Sequence, residues 1–227
     1  MPLLQISDLE KAYRSPDGET HRVVAVSSFE LEARQQLALS GESGSGKTTF
    51  LNLIAGIIPA DSGSIRIGER EVTAMSESDR DRFRGAEMGY IFQTFNLLQG
   101  FTCVENVILG MSFGGPVDRT RAKQLLDRVG LADRMRHYPR QLSTGQQQRV
   151  AVARALASRP RLVLADEPTG NLDAQNAREV LALIRETCEE TDAALLLVSH
   201  DRDILQDFEL CRDLRDINTP QGVEVGR

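Results

Sequence analysis

The sequence predicts an α/β fold with a parallel-sheet core, an antiparallel N-terminal β layer and an inserted helical subdomain. Three observations predict it. Strand-like and helix-like segments alternate along much of the chain, as they do in βαβ units. Two apolar runs, 162–165 and 194–198, have the continuous hydrophobicity of strands that are buried on both faces. The residue pattern is typical of β-strands before residue 40 and of helices between about 95 and 155.

The first 40 residues predict the antiparallel layer. Residues 23–26 (Val-Val-Ala-Val) are rich in strand formers, and Phe29 and Leu31 alternate with polar neighbours. A Ser-Pro-Asp-Gly sequence at 15–18 is a strong turn signal. Residues 64–68 predict one more strand.

The later segments predict helices of different character. Residues 76–87 carry mixed charge, which is typical of a solvated helix, and residues 175–190 are amphipathic. Between them, one apolar stripe at helical spacing consists of Ala122, Leu125, Leu126 and Val129. We expect one domain over 1–227, with a catalytic core of 1–94 and 157–227 and a helical subdomain of 95–156.

Composition limits the possible partners and surroundings. The net charge of −6 over 227 residues argues against unspecific nucleic-acid binding, which needs a basic surface. No apolar run approaches the roughly 18 residues of a membrane helix, and the N-terminus lacks a signal-peptide layout. Three cysteines without metal-like spacing predict reduced, mostly buried thiols. We therefore expect a cytoplasmic protein that reaches a membrane only through a partner.

Residues 41–49 form a complete G-x-x-x-x-G-K-[ST] phosphate loop between a predicted strand, 36–40, and an apolar helix expected to continue to 58, before Pro59. The glycines let backbone N–H groups face a polyphosphate. Lys47 is predicted to reach the β- and γ-phosphates, and the Thr48 hydroxyl to ligate Mg²⁺. The pattern indicates a P-loop NTPase (RecA-like) core. The loop consists of Gly41, Glu42, Ser43, Gly44, Ser45, Gly46, Lys47, Thr48 and Thr49.

Two acids follow the apolar strand 162–165, at the strand end where ligands bind in open α/β sheets. Asp166 suits the Mg²⁺ shell, and Glu167 suits a general base that polarises water for attack on the γ-phosphate. The alternative is that both acids cap a turn. His200, after the strand 194–198, would hydrogen-bond the γ-phosphate and orient the water or Glu167. The Gln93 amide oxygen would complete the Mg²⁺ or water shell. Neither of these two residues is diagnostic alone.

Residues 142–156 (Leu-Ser-Thr-Gly-Gln-Gln-Gln-Arg-Val and an alanine-rich continuation) predict a second phosphate-binding helix terminus. Ser143 is suited to cap the helix, and Gly145 permits an anion to approach the backbone amides closely.

Together these residues resemble the ATP-binding subunit of an ABC transporter, and the resemblance covers nearly the whole chain. The phosphate loop matches Walker A, residues 166–167 match Walker B, and residues 142–146 match the signature. One departure is Thr144, where the family usually has glycine. The remaining matches are Gln93 to the Q-loop, residues 171–173 to the D-loop, His200 to the switch histidine and Tyr13 to the aromatic that stacks on adenine.

The resemblance implies ATP and Mg²⁺ as cofactors and ATP hydrolysis as the activity. It also implies a head-to-tail dimer, in which Ser143, Gly145 and Gln146 of one copy act on the ATP held by the other. A second partner would be an integral membrane permease, which would place the chain on the inner face of the cell membrane. Phe95, Leu97, Leu98 and Phe101 would receive that permease or simply form subdomain core.

Segments 89–98, 102–107 and 164–173 resemble the lipoprotein-releasing and macrolide-exporter ATPases in particular. The alternatives are the ATPase of a solute importer and a cell-division-type cassette that activates an envelope enzyme without transport. A soluble ABC protein of translation or DNA repair is less consistent with the sequence, because each motif occurs once and no coiled-coil insertion is present.

Overall fold

The computed structural model describes residues 2–220, so the first residue and the last seven residues of the predicted domain lie outside the description. The strands are β1 (Leu4–Arg14), β2 (Thr20–Leu31), β3 (Gln36–Ser40), β4 (Ser62–Ile67), β5 (Arg70–Glu71), β6 (Met88–Ile91), β7 (Leu162–Asp166), β8 (Ala194–Ser199) and β9 (Cys211–Asp213). The helices are α1 (Lys47–Ile54), α2 (Glu77–Glu87), α3 (Cys103–Leu109), α4 (Arg119–Arg128), α5 (Thr144–Ala155), α6 (Ala174–Glu190), α7 (Arg202–Leu205) and α8 (Leu214–Ile217).

A five-stranded parallel sheet forms the core, with strand order β6-β7-β8-β3-β9. Every residue of β7 and β8 is buried, which confirms the prediction from their continuous apolar runs. One face of the sheet packs against α3, α4, α5 and α6, and the other against α1 and the N-terminal layer. The parallel connections bring the carboxyl ends of all five strands to one edge.

The N-terminal layer is a second sheet with strand order β2-β1-β4-β5, and its neighbouring strands pair antiparallel. Strands β1 and β2 form the hairpin expected from the turn signal at 15–18. The rings of Phe29 in β2 and Phe50 in α1 meet edge to face with centroids 5.6 Å apart. This contact packs the layer against the helix that follows the phosphate loop. The α/β fold class predicted from the sequence is thereby confirmed.

Three helices, α3, α4 and α5, pack together between residues 95 and 156. The apolar stripe predicted on α4 is buried in their common core. Arg154 at the end of α5 donates to the carbonyl oxygens of Phe95 (2.7 Å) and Asn96 (2.5 Å), and burial lowers its pKa. The chain that leaves β6 is therefore fixed to the helix of the signature segment.

The helix after the phosphate loop is shorter than predicted, because α1 ends at Ile54 and not near residue 58. Gly56 has a φ of 62°, in the left-handed region that terminates helices. Beyond it, Ile57 points to solvent with 42% of its surface exposed. The prediction of a helix through residue 58 was wrong, because the last residues of the apolar run 50–58 form a turn.

All three cysteines are free thiols, and Cys103 and Cys188 are buried as expected, whereas Cys211 is exposed. Burial raises the pKa of Cys188 to about 12, so this thiol stays protonated near neutral pH. Within residues 2–220, none of the helices has the length and apolar character needed to cross a membrane.

Replacing Gly89 by alanine tests how tightly β6 packs against α5. A methyl group at Gly89 would overlap with the carbonyl oxygen of Ala155. We expect Gly89→Ala to lower the free energy of unfolding by about 1–3 kcal/mol, as overpacking does. The matched control is Gly100→Ala, where no described atom lies within 4 Å of the added methyl. Urea unfolding that gives the same midpoint for both variants would contradict this packing.

Candidate nucleotide-binding site

The site lies at the carboxyl edge of the parallel sheet. Ser40 at the end of β3 pairs with Ser199 at the end of β8, and Asp166 at the end of β7 pairs with Val198. The segments that follow these three strands therefore meet around one cavity of about 270 Å³. Its lining residues are Val23, Ser43, Gly44, Gly46, Lys47, Thr48, Thr49, Gln93, Glu167 and His200.

The phosphate loop has the backbone that its glycines predict. Gly44 and Gly46 have φ values of 83° and 93°, which side chains rarely allow. A methyl group on Gly46 would also lie only 2.9 Å from the carbonyl oxygen of Val23. Helix α1 begins directly afterwards, and no side chain among the described residues caps it. Its first N–H groups are thus available to an anion in the cavity.

Lys47 is 7% exposed and its ammonium group is held inside the loop. Nζ donates to the carbonyl oxygens of Gly41 (2.6 Å) and Glu42 (2.9 Å) and lies 3.4 Å from Oε1 of Glu167. The cation therefore stands between the loop and the acid that follows β7, where a phosphate would compete for it.

Glu167 is the most constrained side chain of the site. Its φ is 44°, an unfavourable region for a residue with a side chain, while its N–H donates to the Val198 carbonyl at 3.0 Å. Oε2 accepts from Ser199 Oγ (3.0 Å) and from the His200 N–H (3.3 Å). Nδ1 of His200 lies 2.8 Å from Oε1. These contacts fix the carboxylate at the cavity wall, with only 6% of the residue exposed.

Asp166 lies deeper, with 4% of its surface exposed. Burial raises the pKa of this carboxyl group, and a hydrogen bond from Thr48 partly offsets the effect by lowering it. Its Oδ1 atom is buried and has no hydrogen-bond partner among the described residues. An unpaired carboxylate oxygen beside a hydroxyl is a donor set that suits a hard divalent cation.

Gln93 and His200 reach the cavity from the two strands that flank β7, which are β6 and β8. Gln93 follows β6 and its carbonyl oxygen accepts from the Asn171 side-chain amide at 2.8 Å, which links the predicted Q-loop and D-loop. The side chain of His200 remains 64% exposed although its ring contacts Glu167. The structure therefore brings both residues to the predicted place.

The other predicted residues lie away from this cavity. Tyr13 is absent from the described cavity lining, is 44% exposed, and has the Lys11 ammonium 5.7 Å from its ring centroid. Ser143 caps α5 by accepting from the N–H of Gln146, whose side chain accepts from the Ser143 N–H in return. The predicted cap is confirmed, but within one chain this helix terminus does not line the cavity around Lys47.

Gly145 lies in the same first turn of α5, and the side chain of Asn176 leaves little space for a larger residue there. A methyl group at Gly145 would come within 3.1 Å of the Asn176 side-chain oxygen. Thr144, the departure from the family pattern, is the first residue of α5 and is exposed. Its side chain therefore faces solvent in the single chain.

Sequence reasoning missed two residues that shape the site. Ser199 holds Glu167, and Val23 forms part of the cavity wall. A hydroxyl residue at the end of an otherwise apolar strand was a usable signal for Ser199. Val23 carried no such signal, because only the packing of β2 against the phosphate loop brings it there.

Comparison with known proteins agrees with this geometry. A family model described as ABC transporter matches residues 24–170. The chain is 41% identical to a lipoprotein-releasing system ATP-binding protein of Alcanivorax borkumensis, over 92% of this chain and 94% of that protein. It is 38% identical to a macrolide export ATP-binding/permease protein of Syntrophobacter fumaroxidans, of which it spans 32%.

A solved ATP-binding cassette, dimeric and bound to ADP and Pi after hydrolysis, superimposes with a TM-score of 0.85. It is 30% identical in sequence, and the match covers 92% of this chain and 93% of that one. With the phosphate loop, the two acids and the histidine at one sheet edge, these matches show that the chain belongs to the ABC transporter family, as a subunit that binds and hydrolyses ATP.

Proposed function

We propose that this ATPase drives a membrane complex of the lipoprotein-releasing or exporting type. The observation that carries the hydrolytic part is the position of Glu167, held by Ser199, His200 and Lys47 beside the phosphate loop. The named relatives support the type of complex, because one belongs to a lipoprotein-releasing system and another to a macrolide exporter.

In the proposed complex with ATP, the phosphate loop from Gly41 to Thr49 wraps the β- and γ-phosphates. Its backbone N–H groups and the uncapped start of α1 attract the anion. Lys47 exchanges its present contacts with two loop carbonyls for phosphate oxygens. This exchange also breaks the ionic contact between Lys47 and Glu167. Nucleotide binding would thereby free the Glu167 carboxylate to accept a proton from water.

We propose that Thr48, Gln93 and Asp166 hold Mg²⁺. The unpaired, buried Oδ1 of Asp166 beside the Thr48 hydroxyl fits such an ion. When bound, Mg²⁺ would neutralise the negative charge of the phosphates. The desolvation of Asp166, which raises its pKa without the cation, would then be offset by the opposite charge.

Glu167 is the proposed general base. It accepts a proton from the water that attacks the γ-phosphate, while Ser199 and His200 keep the carboxylate oriented. General-base catalysis of this kind is worth roughly 10²–10⁴ in rate. His200 is also exposed enough to contact the γ-phosphate, as is the side chain of Gln93 from the opposite wall.

We propose a head-to-tail dimer in which Ser143, Gly145 and Gln146 complete the nucleotide site of the second copy. Two observations support it: these residues do not line the cavity of their own chain, and the similar solved cassette is dimeric. Tyr13, half exposed on the N-terminal layer, is the proposed platform for adenine.

The membrane permease is proposed to dock on a second cavity, of about 390 Å³, between α2, β6 and α3. Apolar side chains of this cavity include Ile57, Met88, Phe92 and Phe113, of which Phe113 is 66% exposed. Four residues were predicted from the sequence either to receive the permease or to form subdomain core. Of these, Leu97 is buried and Phe95 packs against the core, whereas Leu98 and Phe101 are each 43% exposed. We propose 95–156 as the subdomain that moves with this partner.

Glu167→Gln tests the proposed base. The amide keeps the shape of the side chain but does not accept the proton of the attacking water, so we expect ATP turnover to fall by at least about 10²-fold. ATP binding should be retained, and an ATP-dependent dimer should accumulate in size-exclusion chromatography. Lys47→Ala is the comparison variant and should lose most nucleotide affinity. Near-normal hydrolysis by Glu167→Gln would exclude this role.

Asp166→Asn tests the cost of burying an acid without its cation. Because the folded-state pKa of Asp166 is raised, its charged form destabilises the folded protein. This penalty is complete above the raised pKa and shrinks as pH falls from there toward the unfolded-state pKa. We expect the variant without nucleotide to melt at a higher temperature than wild type at pH 8, with a gain that shrinks on acidification. Mg²⁺-dependent ATP hydrolysis should be lost. An equal gain at every pH would show that desolvation of the carboxylate is not its cause.

Affinity purification of tagged Glu167→Gln protein from detergent-solubilised membranes, with and without ATP, tests the type of complex. A few-helix membrane protein with a large extracytoplasmic domain is expected by mass spectrometry. A many-helix permease with a solute-binding protein would indicate an importer instead, and an envelope-enzyme activator would indicate the cell-division type. Phe113→Asp should abolish co-purification, whereas Gly100→Ala should not.

A further inference from the structure

We infer that Asn218, outside every motif, is a positioning residue that fixes the phosphate loop for nucleotide binding. The inference rests on the nucleotide site proposed above. Asn218 follows α8 and is 6% exposed, although asparagine is usually found at the surface. A buried amide needs partners for its oxygen and its two N–H groups, and the identity of these partners indicates its task.

All three described partners of the Asn218 side chain are backbone groups of β2 or of the phosphate loop. Its oxygen accepts from the N–H of Ala25 at 2.7 Å. Its amide nitrogen donates to the carbonyl oxygens of Val23 (3.0 Å) and Ser45 (3.3 Å). One side chain thus joins the phosphate loop to the strand that forms the cavity wall.

The point of contact is a crowded part of the loop. A methyl group on Gly46 would lie 2.9 Å from the Val23 carbonyl oxygen and 3.5 Å from Nδ2 of Asn218. Gly46 is the residue immediately before α1, with a φ of 93°. Asn218 therefore contacts the loop through the Ser45 carbonyl, next to Gly46, where the loop ends and helix α1 begins.

Neighbouring residues strengthen this support. The side chain of Leu214 is fully buried, and its Cβ would lie 3.5 Å from a methyl group on Gly41, at the other end of the loop. The N–H of Thr219 donates to the Ala25 carbonyl at 2.9 Å. Residues 214–219, which we name the C-terminal brace, thus hold the loop at its first glycine and at its last.

The contacts of Asn218 are expected to affect the affinity for ATP more than the rate of ATP hydrolysis. A phosphate loop that is already held in its binding geometry loses less conformational entropy when ATP binds. The Asn218 side chain has no described hydrogen bond to the carboxylates of Asp166 and Glu167, because its described partners belong to β2 and the phosphate loop. Its loss should therefore weaken ATP binding and leave the hydrolytic step largely unchanged.

The experiment compares ATP dissociation constants of the full-length wild type, Asn218→Asp and Asn218→Ala, measured with a fluorescent ATP analogue. Aspartate keeps the acceptor for Ala25 but turns a second oxygen toward two carbonyls, so it should be the more harmful change. Losing one to two hydrogen bonds predicts about 5- to 10-fold weaker binding for alanine. KM for ATP should rise by a similar factor while kcat at saturating ATP stays within about twofold.

Asn106→Ala is the matched control. Asn106 is also a fully buried asparagine bonded to backbone groups, those of Leu98, Phe101 and Thr102 in the helical region, far from the phosphate loop in sequence. It should lose thermal stability comparably but keep the wild-type ATP dissociation constant.

The inference is overturned if both Asn218 variants bind ATP as wild type does while Lys47→Ala does not. It is equally overturned if Asn106→Ala loses as much affinity as Asn218→Ala, because the effect would then follow stability alone. If Lys47→Ala retains full affinity, the nucleotide site proposed here fails, and the role of Asn218 fails with it.

Discussion

The hydrogen-bond register among β3, β7 and β8 is the constraint on which the rest of the site depends. Ser40 pairs with Ser199, and Asp166 pairs with Val198, so three strand ends are level with one another. A slip of one residue would exchange the side chains of the two faces, so that side chains of the wrong shape would enter each of the two packed cores. Since both faces of β7 and β8 are fully covered, the register is fixed by the hydrophobic core, and the polar residues beyond the strand ends inherit their positions from it.

That core supports an arrangement that is unfavourable on its own. Asp166 has a raised pKa and an unpaired oxygen, and Glu167 has a left-handed backbone conformation. Lys47 stands close to Glu167, and Ser199 and His200 supply the remaining contacts of that carboxylate. Local strain and desolvated charge of this kind persist where the surrounding structure determines the conformation. The site therefore concentrates groups whose best partners are a polyphosphate and a cation.

Hydrogen bonds to backbone carbonyls connect this site with the helical region. The fully buried Gln148 of α5 donates to the carbonyl of Pro168, directly beyond the acids, at 2.6 Å. Asn171 donates to the Gln93 carbonyl, and Arg154 to the carbonyls of Phe95 and Asn96. The first bond joins the signature helix to the segment after β7, and the others join that segment and that helix to the chain that follows β6. The segments that carry Glu167 and Gln93 are thus hydrogen-bonded to the helical region.

Local spacing and continuous hydrophobicity were enough to predict the fold class, the phosphate loop, the strands that carry the acids and the capped signature helix. They misplaced the end of α1, since Gly56 ends the helix before the apolar run is complete. Three features depend on contacts between distant segments: Ser199 bonds to Glu167, Val23 lines the cavity, and Asn218 bonds to the phosphate loop. The last of these contacts joins residues 173 positions apart, and no local pattern encodes a hydrogen bond between a side chain and a distant backbone carbonyl.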